Sequence, residues 1–426
     1  MKKVAVIDGI RTPFVKSWTL FDRLSAHQLG ALCVNELLQR TDLDAATVDE
    51  VIFGCVGEPV DAANVARVIS IYGGIPKDKP AYTVNRNCAS SFESVTSAVE
   101  KIRLGLDQIV IAGGTESMSN APFLFGKDMA VLLMKLAKAK TFFEKLSILF
   151  QIRFQHLKPI SALQLALTDP TCGLNMGQTA EVLAKEFGIS RMDQDAFALR
   201  SHQRAIAARE KLREEIVPVR IPPDYEIVVQ DDNGPRENQS METLAKLRPV
   251  FDRYTGTVTA GNSSQITDGA CVLLLMDAEK AKSLGYKILG SIEHYAYVGL
   301  DPSRMGLGPV FAIEKVLRQS SLALKDMELV EINEAFAVQV LACLEALGSQ
   351  EFAKRYFSSA SNLGLINLDI LNVNGGAIAI GHPVGTSGAR LILTCLNEMK
   401  RRSLKRGLVS LCVGGGQGGA IILERE

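Results

Sequence analysis

A loop, a helix, a short apolar strand and a glycine cluster occur twice in this 426-residue chain, and that repetition constrains the fold more than any other feature. In the first copy Asn87-Cys88 opens a helical pattern to about Leu104, the apolar run from Ile109 to Ala112 follows, and Gly113-Gly114-Thr115-Glu116 reads as a turn. In the second copy Gly381-His382-Pro383 precedes a helix to about Lys400, then a strand from Leu408 to Cys412 and the turn Gly414-Gly415-Gly416. Each copy thus places a reactive side chain at the start of its helix. Two such halves predict a pseudo-twofold core with a site between them. Runs such as Gln108 to Ala112 and Gly407 to Leu411 have the continuous apolar character of strands buried on both faces, and they alternate with helical patterns. The predicted class is α/β.

A cysteine at a helix N-terminus meets unpaired backbone N–H groups and the positive end of the helix dipole, and both favour thiolate over thiol. Cys88 is the cysteine placed that way, although a small buried hydrophobe is the ordinary role of an intracellular cysteine. His382 lies between Gly381 and Pro383-Val384-Gly385, where the backbone can approach a ligand and Pro383 suits a first helical turn; it is a base candidate, with a capping or core histidine as the alternative. Cys412 precedes Val413-Gly414-Gly415-Gly416-Gln417-Gly418-Gly419, whose N–H groups can form an anion nest. That run lacks the GKS or GKT ending of a phosphate loop. In Glu331-Ile332-Asn333-Glu334-Ala335-Phe336-Ala337, Asn333 can hold a water or a histidine and Glu334 can fix polar neighbours; an ordinary helix start reads the same way.

From Asn120 to about Val250 strand signals are sparse, a long helical pattern spans Met192 to Glu210, and a polar, proline-containing loop spans Pro222 to Ser240. This reads as an insertion covering the site. Between Pro122 and Ile160 seven basic residues (Lys127, Lys135, Lys138, Lys140, Lys145, Arg153, Lys158) face two acidic ones (Asp128, Glu144) among many large apolar side chains. On a helical wheel Met129, Leu132, Leu133 and Leu136 share one face and Lys127, Lys135 and Lys138 another. Such a helix lies on a membrane surface, docks on a partner or packs on its own protein. No run is long and uncharged enough to span a bilayer.

The 47 basic and 47 acidic side chains cancel, so no long-range field favours nucleic acid or a bulk anionic partner, and any anion site must be local. Eight cysteines without CxxC pairs or His/Cys clusters argue against a disulfide scaffold and a structural zinc site. Met1-Lys2-Lys3 leads directly into the strand Val4 to Gly9 without a signal-peptide pattern, and Leu423-Glu424-Arg425-Glu426 is no peroxisomal address. A chain of the reducing cytosol is expected, peripheral to the membrane if the basic helix binds lipid.

Taken together, Arg11-Thr12-Pro13-Phe14, Asn87-Cys88-Ala89-Ser90, Gly113-Gly114-Thr115-Glu116-Ser117-Met118, Leu247-Arg248-Pro249, Thr257-Val258-Thr259-Ala260-Gly261-Asn262-Ser263-Ser264, Asn333-Glu334-Ala335-Phe336, Gly381-His382-Pro383 and Cys412-Val413-Gly414-Gly415-Gly416 resemble the thiolase family of acyl-CoA:acetyl-CoA C-acyltransferases. The resemblance covers essentially the whole chain. It implies a five-layered αβαβα fold with two similar halves, 1–121 (completed by about 251–281) and 282–426, and an inserted loop domain, 122–250. It implies that Cys88 carries the acyl group, that His382 takes the Cys88 proton and activates the CoA thiol, and that Cys412 exchanges a proton with the substrate α-carbon. One oxyanion hole would be His382 with a water held by Asn333, the other the N–H groups of Cys88 and Gly414. For coenzyme A, a co-substrate rather than a resident cofactor, it implies Ser264 at the pantetheine, Ala260 and Phe251 as walls with Met176 and Phe336, and Arg236 near the nucleotide phosphate. No metal is implied.

Asn175-Met176-Gly177 stands where short-chain biosynthetic members have His-Met-Gly, which turns the expectation toward thiolysis of medium- or long-chain 3-ketoacyl-CoA in β-oxidation. A biosynthetic acetoacetyl-CoA thiolase is the alternative. The basic stretch resembles the extra helical segment of thiolase subunits in fatty-acid-oxidation trifunctional complexes, which implies a hydratase/dehydrogenase partner and at least a homodimer; those bacterial relatives often carry His-Glu-Ala-Phe where this chain has Asn333-Glu334-Ala335-Phe336. Two readings from other classes are a Cys-His-Asn hydrolase, in which Cys412 has no task, and a lipid carrier, in which all three reactive residues are idle.

Overall fold

Strands buried on both faces must alternate their side chains between two apolar layers, and the strand Glu50–Gly54 does so: Val51 and Phe53 pack with the helices Ala26–Thr41 and Val65–Tyr72, and Ile52 packs toward the helix Ser90–Leu104. A computed structural model of the chain describes residues 2–357 and 360–425; Met1, Ser358, Ser359 and Glu426, which fall in the two halves read above, lie outside the described residues. Among these, ten strands join in one hydrogen-bonded sheet. Their order is Leu329–Ile332, Arg406–Val413, Gln417–Glu424, Gly290–Gly299, Val4–Arg11, Thr267–Asp277, Ile109–Glu116, Glu50–Gly54 and Ala81–Val84, with the short Val15–Lys16 beside Thr267–Asp277.

The sheet has a seam. Val4–Arg11 meets Gly290–Gly299 only through Ala5 opposite Ser291 and Val6 opposite Gly290. Outward from it the two wings repeat the same connectivity, the second one ending in a single bridge between Val330 and Leu371. The wings enclose the helices Ser90–Leu104 and Ser387–Arg402, because one buried cluster joins Val110, Ala112 and Leu273 of one wing, Val409, Leu411 and Ile421 of the other, and Phe92, Val95, Leu391 and Leu396 of the two helices. A second cluster covers the outside of the second wing with the helices Gly308–Ser320 and Ala337–Gly348. This is the five-layered αβαβα arrangement. The central helices touch where Gly388 has no side chain, since a Cβ there would lie 2.5 Å from the Phe92 ring, and the Ala389 N–H donates to Ser91 Oγ at 3.0 Å.

The structure corrects the expected repeat at two points. Gly113-Gly114-Thr115-Glu116 is not a turn: the strand continues through Glu116, paired with Gly269 to Val272. Glycine is needed there for close approach, because a Cβ on Gly114 would fall 2.0 Å from the Gly385 carbonyl. Nor does the second helix begin at Pro383: it starts at Ser387, after a turn in which the Pro383 carbonyl accepts from Thr386 N (2.9 Å) and Ser387 N (3.1 Å). His382 therefore stands before that turn, free of the helix. Strands Arg406–Val413 and Gln417–Glu424 form a tight hairpin through Gly414-Gly415-Gly416, while their counterparts Ile109–Glu116 and Thr267–Asp277 pair in the same antiparallel manner with the whole interval 117–268 between them.

That interval holds the helices Met176–Phe187 and Arg191–Ala207; the latter stops short of the expected Glu210, and Arg209–Arg213 follows separately. The basic stretch forms two helices, Lys127–Lys138 and Phe142–Leu149, flanked by Phe123–Leu124 paired with Ile160–Ser161. Of the expected apolar face, Met129 and Leu132 are buried and Leu136 half-buried, but Leu133 is exposed because it lies at the edge of a stripe centred between Met129 and Leu132. Phe142, Phe143, Phe150 and Phe154 are 73%, 80%, 82% and 92% exposed. Among the described residues no helix is long and apolar enough to cross a membrane.

Candidate active site

The loop that carries Cys88 is wound so that this residue projects from a sharp turn just before the helix Ser90–Leu104. Asn87 takes a left-handed conformation (φ 45°), which asparagine tolerates better than most residues. Its side-chain amide donates to the Gly414 carbonyl at 2.8 Å, tying the first half to the triple-glycine hairpin of the second. Ser90 Oγ donates to the Asn87 carbonyl (2.7 Å) and accepts from Arg86 N (2.9 Å), closing the turn.

The N–H groups of Gly414 and Cys88 itself both bond toward the Cys88 sulfur. Burial nevertheless dominates and raises the thiol's pKa; those two N–H groups oppose it and the Glu116 charge adds to it. Burial thus opposes the thiolate that a place before a helix start favours. Cys412, at the end of the strand Arg406–Val413, is pushed well above the ordinary range by burial and then by the neighbouring Cys88.

His382 is buried with both ring nitrogens engaged. Ser387 Oγ donates to the Pro383 carbonyl (3.1 Å) and lies 2.6 Å from Nδ1. With the hydroxyl proton so placed, Nδ1–H donates to Ser387 and the lone pair sits on Nε2. Asn333 Nδ2 donates to that Nε2 at 3.4 Å, while its buried Oδ1 has no protein partner among the described residues. Burial, then the Arg390 charge, holds His382 down to about 3, so it is a neutral base throughout the physiological range.

Two buried carboxylates hold this geometry. Glu334 accepts from Ser201 Oγ (2.6 Å), Asn372 Nδ2 (2.9 Å) and Ile378 N (3.3 Å), fixing the backbone that leads to His382. Glu116 accepts from Gly57 N and Gly385 N (both 2.9 Å) and Val56 N (3.2 Å), bridging the Cys88 half to the His382 turn. Burial raises Glu116 to about 7 against those three donors. Glu116 and Ser387 were not singled out from the sequence; Ser387, five residues after the histidine in one short turn, was the more findable.

Cys88, His382 and Cys412 line one cavity of about 540 Å³ together with Met176, Phe251, Ala260, Ser264, Phe336 and Arg236. Asn333 reaches it through His382, and Gly414 lines an adjoining cavity that also reaches Cys88. Asn175 lines the first cavity too, its side chain capping the helix Met176–Phe187 by accepting from Gln178 N at 2.9 Å. Phe251 and Phe336 meet edge to face at 6.1 Å, and the Ser264 N–H donates to the Ala335 carbonyl at 2.9 Å. Lys16, a wall residue the sequence reading missed, has its pKa lowered by burial and then by Arg236. The same two cations follow burial in holding His202, a neighbour of the Arg236 backbone, down to about 4. Neither cation forms an ion pair among the described residues, so the two together suit a phosphate.

A neutral base, two thiols, paired N–H donors and a channel lined by two cations make a site suited to acyl transfer between thiols. The comparisons with known proteins agree. Residues 4–279 match the family model for the thiolase N-terminal domain and residues 286–425 that for the thiolase C-terminal domain. The chain is 40% identical over 425 residues, 99% of its length and 97% of the relative's, to a protein named 3-ketoacyl-CoA thiolase from Pseudoalteromonas translucida. The Bacillus anthracis acetyl-CoA acetyltransferase structure superposes with a TM-score of 0.87 at 35% identity, covering 100% of this chain and 99% of that one. Human mitochondrial 3-ketoacyl-CoA thiolase in complex with CoA superposes with a TM-score of 0.85 at 35% identity, covering 100% and 98%. With its whole length matched, its layers superposed and its reactive residues gathered in one channel, the chain belongs to the thiolase family of acyltransferases.

Proposed function

We propose that this thiolase cleaves 3-ketoacyl-CoA of medium or long chain, using coenzyme A as the second substrate. The observation that carries the reading is the convergence of Cys88, His382 and Cys412 on one channel that Lys16 and Arg236 also line. Nε2 of His382 takes the Cys88 proton as the sulfur attacks the 3-keto carbon, and the N–H groups of Cys88 and Gly414 receive the charge that builds beside that sulfur. The bond between C2 and C3 breaks and Cys412 protonates the departing acetyl-CoA enolate; the proton that His382 took from Cys88 passes to the Cys412 thiolate, and His382, neutral again, takes the proton of the CoA thiol, whose sulfur attacks the thioester and releases the shortened acyl-CoA while that proton returns to the Cys88 sulfur. The names of the relatives support this direction over condensation. Purified protein should turn over 3-ketohexadecanoyl-CoA only when CoA is added, with kcat/KM at least equal to that for acetoacetyl-CoA. Preference for acetoacetyl-CoA by about tenfold or more would instead make it the biosynthetic enzyme.

Segment 122–160 is proposed as the docking face. Five phenylalanines more than two-thirds exposed, Phe123, Phe142, Phe143, Phe150 and Phe154, beside seven cations and two acids, suit an anionic phospholipid surface. Changing Phe142, Phe143, Phe150 and Phe154 to serine should abolish flotation with phosphatidylserine vesicles. Unchanged flotation would remove the proposal, and loss only of co-purification with a hydratase/dehydrogenase would assign the face to that partner. The eight free thiols fit a reducing compartment.

A further inference from the structure

Gly414, whose N–H faces the Cys88 sulfur, opens a hairpin of three glycines, and glycines have no side chains with which to hold their own peptide planes in place. Gly415 and Gly416 both take left-handed conformations, with φ of 88° and 76°. The peptide that joins Gly414 to Gly415 is nevertheless held at both of its polar ends. Its carbonyl accepts from Asn87 Nδ2 at 2.8 Å, and its N–H, that of Gly415, donates to the Asp169 carboxylate. Beyond it, the Gly416 carbonyl accepts from Leu300 N at 2.8 Å, and Arg86 Nη1 donates to Gln417 Oε1 at 3.1 Å.

The two holders come from different parts of the chain and are themselves fixed. Asn87 belongs to the first half, where its own N–H donates to Asn85 Oδ1 at 3.0 Å. Asp169 belongs to the interval 117–268 and is buried; its carboxylate accepts from Thr171 Oγ1 at 2.5 Å and Thr171 N at 2.7 Å. The Thr171 hydroxyl, with the backbone N–H groups of Thr171, Cys172 and Gly415 and against burial, holds the Asp169 carboxyl below the usual carboxylate range, so it acts only as an acceptor. The backbone on either side of Asp169 is closed as well, its N–H donating to the Leu174 carbonyl and its carbonyl accepting from Gly173 N, both at 2.9 Å.

The clamp stands beside the reacting sulfur. A second cavity, of about 490 Å³, meets the first at a waist formed by Cys88, Met118, Leu167, Met176 and Val384, and Asn87, Asp169, Gly414 and Gly415 all line it. On the other side of Gly414 the chain is fixed by the sheet, where Val413 pairs with Gln417. Gly414 therefore lies between a paired strand end and a peptide pinned at both ends, and the direction of its N–H is set by both.

We infer that Asn87 and Asp169 are positioning residues that clamp the Gly414–Gly415 peptide and so keep the Gly414 N–H aimed at the oxygen of the thioester formed on Cys88. This rests on the Cys88 acyl-enzyme reading above. That oxygen gathers charge when the acyl group arrives on the sulfur and again when CoA removes it, so the clamp serves both half-reactions. Removing an oxyanion donor outright costs about 10²- to 10³-fold in kcat, and letting one swing out of line costs a smaller part of that.

The test uses the full chain carrying Asn87→Gly, Asp169→Ala or both. Glycine accepts the left-handed conformation at position 87 and removes the donor without adding charge. Thiolysis by Asn87→Gly should lose about tenfold to a hundredfold in kcat with KM within about threefold of the wild type. Acyl exchange between acyl-CoA and CoA should fall in parallel. The acyl-enzyme, made from acyl-CoA isotope-labelled at the carbonyl carbon, should show its infrared carbonyl band at higher frequency in each variant, because a misaligned donor polarises the carbonyl less. A merely structural role lowers the yield of folded enzyme and leaves that band in place. Since both residues act on one peptide, the double variant should be no more than about threefold slower than the slower single one. Where Asn87→Gly does not fold, Asn87→Asp takes its place, keeping the size of the side chain and setting an acceptor against the Gly414 carbonyl. An unshifted band in a folded variant at position 87, or losses that multiply in the double variant, overturns the assignment and leaves the thiolase reading intact. A wild type with neither thiolysis nor an acyl adduct on Cys88 overturns that reading instead.

Discussion

Replacing Cys88 by serine is expected to lower CoA-dependent cleavage of 3-ketoacyl-CoA by more than about 10³-fold and to abolish the acyl adduct seen at this position by mass spectrometry. The reason is the match between the residue and its base. His382 is a buried neutral base, and a serine hydroxyl is far less acidic than a thiol, so the same base activates it much less. The same electrostatics predicts how the resting enzyme responds to pH. Burial raises the Cys88 thiol, so thiolate accumulates only as pH rises through a value above the usual thiol range. Alkylation of Cys88 by iodoacetamide should therefore keep increasing from neutral pH to beyond pH 9. A plateau reached below pH 7 would show a preformed thiolate–imidazolium pair and contradict the proton order proposed here. Near-normal turnover of the serine variant would remove Cys88 as acyl carrier.

Cys412→Ala is expected to separate the two kinds of proton transfer. Breaking the C2–C3 bond leaves an enolate that must be protonated on carbon, and the buried thiol of Cys412, with its pKa far above the ordinary range, is suited to hold that proton until the carbanion forms. Cleavage should fall by about 10²- to 10⁴-fold, the range for loss of a positioned acid. Exchange of an acyl group between acyl-CoA and free CoA involves only sulfur protons, passed between Cys88, His382 and the CoA thiol, and should stay within about tenfold of the wild type. Radiolabelled CoA exchange measured beside thiolysis decides it. Equal loss of both would make Cys412 a part of the acylation machinery.

Cys88, His382 and Cys412 were legible because each stands in a local pattern: a cysteine before a helical run, a histidine between glycines, a cysteine before a glycine-rich turn. The residues that hold them were not. Glu116 binds Val56, Gly57 and Gly385, and Glu334 binds Ser201, Asn372 and Ile378, groups distant in the chain that only folding brings together. Lys16 and Arg236, distant in the chain, face one cavity only once it is folded. The expected turn at Gly113-Gly114 failed for a related reason: these glycines serve a close approach from across the molecule, which mimics a turn signal when read locally.

By itself the sequence determined the α/β class and the repeated halves, and singled out Cys88, His382 and Cys412 as candidates, because periodicity and turn chemistry are properties of neighbouring residues. Tertiary structure alone decided the protonation states and the division of the site into two cavities. A place before a helix can be read from chain position, but desolvation depends on everything packed around the sulfur, and at Cys88 burial raises the thiol's pKa. The waist at Cys88, Met118, Leu167, Met176 and Val384 is likewise assembled from five separate stretches of chain, and it exists only where the two halves and the interval between their paired strands close upon one another.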